Sequence, residues 1–138
     1  MKIGNKEVEL YYSNLAVKEI NKLCGGVAKI STLFTDEDGN PLPYETQVDN
    51  TIKLILILAN AGIKKDNWEK RSMISDGEEQ PLLTFEDLEQ ILDIGKLNEY
   101  SNEIAEAMHI ASKFEVPDGL KLTEPDIDLD EIEAEKNP

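Results

Sequence analysis

The chain has 138 residues, with 29 Asp and Glu against 14 Lys and Arg, a formal charge of −15 and a pI near 4.3. That length holds one domain, or one domain and a tail, and buries roughly two-thirds of its unfolded surface without a metal or disulfide staple. The charge argues against two classes of partner. Nucleic-acid affinity rests on Lys and Arg displacing counterions from phosphates, and anionic membrane surfaces repel an acidic chain.

The single Cys24 has no internal disulfide partner, which fits a reducing compartment. The longest apolar run, residues 54–59, is far shorter than the ~20 residues of a membrane span. Met1-Lys2-Ile3-Gly4-Asn5-Lys6 has no apolar signal core. The expectation is a soluble, cytoplasmic protein.

The acidity is uneven. Residues 115–138 carry nine acids and two bases, or −7, together with Pro117, Gly119, Pro125 and Pro138, while residues 1–114 carry 20 acids and 12 bases, or −8. Proline breaks helices and like charges repel, so the sequence predicts a domain over 1–114 and an acidic, disordered tail over 115–138.

In chain order, Gly4-Asn5 forms a tight-turn pair, and Val8, Leu10 and Tyr12 then alternate with Glu7, Glu9 and Tyr11. This predicts a small hairpin whose first strand ends at Ile3. Ser13-Asn14 caps a helix with Ala16, Ile20, Leu23 and Cys24 on one face, stopped by Gly25-Gly26. Val27, Ile30, Leu33 and Phe34 suggest a second short helix, and residues 36–43 form a loop rich in turn formers.

The strongest apolar segment spans 48–63. Val48, Ile52, Ile55, Leu56, Ala59 and Ile63 recur every three to four residues, and Leu54, Ile57 and Leu58 widen the stripe to most of the circumference. A helix apolar on most faces is packed from several sides. Gly62 is read as its stop, with a separate short helix over 65–74. Thr84 and Asp87 make a capping box for a helix carrying Leu88, Ile91 and Leu92, which Gly95 interrupts. A last helix over 97–114 carries Leu97, Tyr100, Ile104, Ala107, Met108 and Ala111 on one stripe and ends before Pro117. The fold class is mainly α: an N-terminal β-hairpin, a bundle of five to six short helices and the acidic tail.

Chemistry is sparse. His109 has no second histidine with which to share a metal, and it reads as a surface helix residue. Cys24 lies at a helix C-terminus, where the dipole disfavours a thiolate, so a packing role is expected. Calcium loops started at Asp36 or Asp126 put neither Gly at position six nor Glu at position twelve. No P-loop, dinucleotide fingerprint, Gly-x-Ser-x-Gly elbow or His-Glu-x-x-His occurs. Trp68 lies among Lys64, Lys65, Lys70 and Arg71, and is expected to dock on the core of a solvated helix. Asp126-Ile127-Asp128-Leu129-Asp130-Glu131-Ile132 alternates acids with apolar anchors, the pattern of a segment that orders on a protein partner. The expectation is no enzyme, no cofactor and no metal, with protein-binding candidates Ile127, Leu129 and Ile132 in the tail and Tyr100, Ile104 and Met108 on the last helix.

The whole layout resembles the tail assembly chaperones of long-tailed bacteriophages and prophages of Gram-positive bacteria. It is carried by the hairpin Ile3-Gly4-Asn5-Lys6-Glu7-Val8-Glu9-Leu10, the helix ending at Gly25-Gly26 and the apolar helix over 48–63. Leu83-Thr84-Phe85-Glu86-Asp87-Leu88 and the amphipathic 97–114 helix complete it. The resemblance covers residues 1–114. It implies a protein that binds the long helical tape measure protein, keeps its apolar stretches soluble, and helps recruit tail tube subunits in the host cytoplasm. The competing reading is an acidic inhibitor that mimics nucleic acid, which requires carboxylates spaced like phosphates along one surface.

Overall fold

The computed structural model describes residues 1–109. Strands β1 (Lys2–Ile3) and β2 (Lys6–Glu7) pair antiparallel, Lys2 with Glu7 and Ile3 with Lys6, around a turn in which Gly4 takes φ +63°. Strand β2 ends at Glu7, shorter than the alternating segment predicts, with one further pair beyond it: the Val8 amide donates to the Met1 carbonyl at 2.7 Å and the Met1 ammonium to the Val8 carbonyl at 2.8 Å. Residues 8–12 lie across a helix instead of a third strand, and the Tyr11 amide donates to the Leu58 carbonyl at 3.0 Å. The period of two survives in burial: Val8 is buried and Leu10 and Tyr12 pack on the core, while Glu9 and Tyr11 face out.

Helix α1 (Asn14–Cys24) begins where the Ser13 hydroxyl accepts from the Ala16 amide at 3.1 Å. It buries Ala16 and Ile20 and ends on Gly25 at φ +95°. The next segment is a 3-10 helix, Val27–Leu33, which places Ile30 and Leu33 in the core beside Phe34. The acidic loop ties to itself. Asp36 Oδ1 accepts from the Asp38 and Asn40 amides, both at 2.9 Å, and Thr35 bridges Pro41.

Helix α2 (Tyr44–Arg71) runs unbroken for 28 residues, which corrects the expectation of a stop at Gly62 and a separate helix over 65–74. Gly62 lies inside α2 for a tertiary reason. A Cβ there would sit within the van der Waals envelope of the Glu9 carbonyl oxygen, so the crossing of residues 8–12 requires a residue without one. Helices α1, α3 (Phe85–Ile91) and α4 (Leu97–Ala107) all pack on α2, whose Leu54, Ile55, Leu58 and Ala59 are fully buried.

The true end of α2 uses no glycine. Met73 takes φ +62°, its amide donates to the Lys70 carbonyl at 3.1 Å, and the Ile74 amide donates to the Glu69 carbonyl at 2.8 Å. This is the two-bond pattern of a Schellman cap with methionine in the left-handed position. That conformation costs a side chain roughly 1 kcal/mol, and Met73 is 91% exposed, so little packing offsets it. Met73→Gly is therefore expected to raise stability by about 0.5–1 kcal/mol in urea unfolding, a gain reduced by the greater freedom of glycine in the unfolded chain.

The chain then returns along α2, held by two asparagines. Asn67 Nδ2 donates to the Gln80 carbonyl at 2.8 Å and Asn67 Oδ1 accepts from the Gln80 amide at 2.7 Å. Asn60 clasps both backbone groups of Leu83 in the same way, at 2.9 and 2.8 Å. From Asn60 to Asn67 the helix rises about 10.5 Å. From Gln80 to Leu83 an extended chain covers about 10 Å. The two side chains thus imitate a short antiparallel ladder on a helix surface.

The Thr84 capping box predicted for α3 is present in both directions, at 3.1 and 2.9 Å. A 3-10 turn (Ile94–Lys96) around Gly95 leads into α4. Helix α4 stops at Ala107, earlier than the predicted 114, because His109 takes φ +58° and its amide donates to the Glu106 carbonyl at 3.1 Å. The hairpin and the helical bundle agree with the predicted fold class. The predicted acidic tail, with Ile127, Leu129 and Ile132, lies outside the described residues. Among the described residues, no helix is long and apolar enough to cross a membrane.

Candidate protein-binding surface

The three anchors proposed on α4 are consumed by the domain itself. Tyr100 is 6% exposed, Ile104 0% and Met108 4%, and the Tyr100 hydroxyl accepts from the Asp93 amide at 3.0 Å. Ile104 and Met108 lie in the core, and Tyr100 shows only an edge, in a small pocket of about 130 Å³ shared with Val48, Ile52, Leu92 and Ile94.

The surplus apolar circumference of α2 is what remains open. Leu56 and Ile57 stay half-buried beside the fully buried Ile55 and Leu58. With Leu23 of α1 they form the floor of a groove of about 330 Å³, walled by Glu19, Lys22 and Lys53. Leu15, 47% exposed, stands one helical turn before Glu19 on α1. An apolar floor between two helices with charged walls is the geometry that receives an amphipathic helix, whose anchors recur at i, i+3 and i+4.

A second apolar feature is convex. Trp68 is 54% exposed, which corrects the expectation that it docks on the core, and it shares the C-terminal end of α2 with Met73 and Ile74. Position 68 lies about 100° around α2 from the buried Asn67. The neighbouring cations are largely matched by carboxylates: Lys65 with Glu9 at 3.4 Å, Lys70 with Asp66 at 2.8 Å and Arg71 with Glu79 at 2.8 Å. Lys65 also lies 5.0 Å from the Tyr11 ring centroid. Cations paired in this way leave little field to track a phosphate backbone.

The remaining reactive groups are placed for structure. Cys24 Sγ lies 3.3 Å from the Gly26 carbonyl and 3.5 Å from that of Ile20. Burial pushes its thiol above the ordinary value, against smaller opposing effects of the Gly26 backbone and the Lys29 charge. Because the thiolate is the nucleophile, native Cys24 is expected to react with iodoacetamide at pH 7.5 several-fold more slowly than the same cysteine in urea. Equal rates would contradict this placement. Among the described residues, no three His, Cys, Asp or Glu side chains converge on a point that would hold a metal.

The sequence pattern does not single out Lys22 or Lys53, and it places Leu23 only on the apolar face of the first helix. The one signal for the groove was the excess of apolar residues around α2, more than a single stripe requires. No protein-family model, curated protein or solved structure matches the chain.

Proposed function

We propose that the chain is a tail assembly chaperone of the long-tailed phage type, a protein-binding module without chemistry whose client is the helical tape measure protein. The observation that supports this most is the open groove between α1 and α2, floored by Leu23, Leu56 and Ile57. A chaperone of this kind must present apolar surface to an apolar stripe on its client. It must also stay soluble while doing so, and the charge of −15 serves that need. Delivery of the held client to tail tube subunits is the second half of the role.

Nucleic-acid mimicry is the weaker reading. Lys22 and Lys53 line the groove, and Lys65, Lys70 and Arg71 sit among the acids at the end of α2. Cations placed in this way interrupt a phosphate-like row of carboxylates.

Co-expression tests the proposal. A tape measure protein encoded beside this chain is expected to move into the soluble fraction and to co-purify with it. A client that stays insoluble and never co-purifies would defeat the reading.

A further inference from the structure

The open side of α2 has a charge opposite to that of the chain. From residue 50 to the end of the helix, the exposed side chains are Lys53, Lys64, Trp68 and Arg71. At 100° per residue these four fall within a sector of about 60°, and half-buried Ile57 lies inside it. The acids of the same stretch, Asp66 and Glu69, lie about 100° or more away from every member of this line. Residues 1–109 carry 20 acids and 11 bases, so a line of cations and apolar side chains without an acid is a local inversion. Arg71 is already matched by Glu79 at 2.8 Å. The basic character therefore comes from Lys53 and Lys64, joined on the groove wall by Lys22, against Glu19 on that wall.

The line has two apolar stations. One is the groove floor of Leu23, Leu56 and Ile57, and the other is Trp68, 54% exposed. From Ile57 to Trp68 the helix rises about 16.5 Å, three turns, so a helix laid along α2 meets both stations with side chains eleven positions apart. Two copies of this chain meeting through this face would set one basic line against another, a like-charge juxtaposition that suppresses pairing. A helix with acids beside its apolar stripe has the complementary charge.

We infer that the partner of this face is an amphipathic helix whose apolar stripe is flanked by Asp or Glu. It lies along α2 with one anchor on Leu23, Leu56 and Ile57 and another, eleven positions on, against Trp68. Its carboxylates stand beside Lys22, Lys53 and Lys64. Taken as the client segment, this helix rests on the groove being the client-binding face. The contact at Trp68 gives the client a register, and the lysines select among its apolar stretches those bordered by acids.

Trp68 is the only tryptophan of the chain, so its emission reports occupancy directly. The test titrates the full chain with a tryptophan-free helical peptide of about 18 residues, the span from Lys53 to Arg71. Its leucine stripe includes two positions eleven apart, and its flanks are glutamate. A second peptide keeps the stripe and carries lysine flanks. Exposed ion pairs are each worth a factor of about 1.5–5, so the glutamate peptide should bind about ten-fold more tightly at low salt and shift Trp68 emission to the blue. The preference should shrink at about 0.5 M salt, and the K53E/K64E variant should reverse it. Equal affinities for the two peptides, or binding that leaves Trp68 emission unmoved, would overturn the inference. An emission shift with protein concentration alone would overturn it in favour of a second copy. A single-stranded oligonucleotide that shifts Trp68 as strongly as the glutamate peptide would overturn it in favour of nucleic acid. If the peptides are discriminated and no tape measure protein is captured, the chaperone reading falls and this inference stands. If the client is captured and the peptides are not discriminated, the reverse holds.

Discussion

Gly62→Ala is expected to destabilise the protein by about 2–3 kcal/mol, and Gly62→Val to prevent stable folding. Intrinsic propensity predicts the opposite sign, since alanine is favoured over glycine inside a helix by about 1 kcal/mol. The reversal comes from one contact. The Glu9 carbonyl occupies the space a Cβ would take, and that backbone is pinned close by, where the Tyr11 amide donates to the Leu58 carbonyl at 3.0 Å. Either the crossing segment lifts, releasing Val8 from the core, or α2 shifts against its neighbours. Overpacking costs roughly 1–3 kcal/mol and occasionally more. A Cβ inside a pinned carbonyl oxygen lies at the top of that range or just above it, about 3–4 kcal/mol. Subtracting the propensity gain of about 1 kcal/mol leaves about 2–3 kcal/mol. Urea unfolding of Gly62→Ala beside Lys64→Ala, an exposed position on the same helix, separates the two effects. A gain near 1 kcal/mol for Gly62→Ala would mean that residues 8–12 do not cross α2 at Gly62.

Loss of the asparagine clamps should be nearly as costly. Asn60→Ala or Asn67→Ala removes a donor and an acceptor at once and leaves an amide and a carbonyl of Leu83 or Gln80 without partners. Unpartnered groups cost about 1–3 kcal/mol when water cannot reach them. Asn67 is 8% exposed, so the upper half of that range applies to it. Asn67→Asp is the more selective variant. It keeps the acceptor for the Gln80 amide and loses the donor to the Gln80 carbonyl. Because both clamps hold one returning segment, the double variant should cost less than the sum of the singles. The same variants should speed amide exchange at Gln80 and Leu83 and open residues 72–84 to proteolysis, while α1 stays protected.

Local rules read most of this fold. Ser13, Gly25 and the Thr84–Asp87 box mark helix ends in the sequence, and each makes the expected hydrogen bonds. The misread ends, Met73 and His109, are helix terminations in the left-handed conformation without glycine, so no residue type announced them. Gly62 misled in the other direction. Its reason is a contact with Glu9, far away in sequence, that periodicity does not contain.

The candidate surface was legible only as a surplus. The pattern of α2 said that more apolar residues were present than one stripe needs. It did not say that Leu56 and Ile57 would stay open while Leu54 and Leu58 were buried, because that depends on where α1, α3 and α4 dock. The same docking consumed Tyr100, Ile104 and Met108, whose stripe on α4 looked equally available. Trp68 shows the converse, an aromatic left half in solvent because α2 turns position 68 away from its neighbours.

The central claim is that the α1–α2 groove holds the client, and one comparison tests it most directly. The full chain carrying Leu56→Asp and Ile57→Asp is co-expressed with the tape measure protein beside the wild type and Met73→Asp, a control on the other exposed apolar feature. Two aliphatic contacts at the centre of a small interface are worth about 2 kcal/mol each, so capture by the groove variant should fall about 100- to 1,000-fold. Its helicity and its urea midpoint report that the fold is intact, and Met73→Asp should capture client as the wild type does. Full capture by the folded groove variant, with loss in Met73→Asp, would contradict the account and move the binding face to the end of α2.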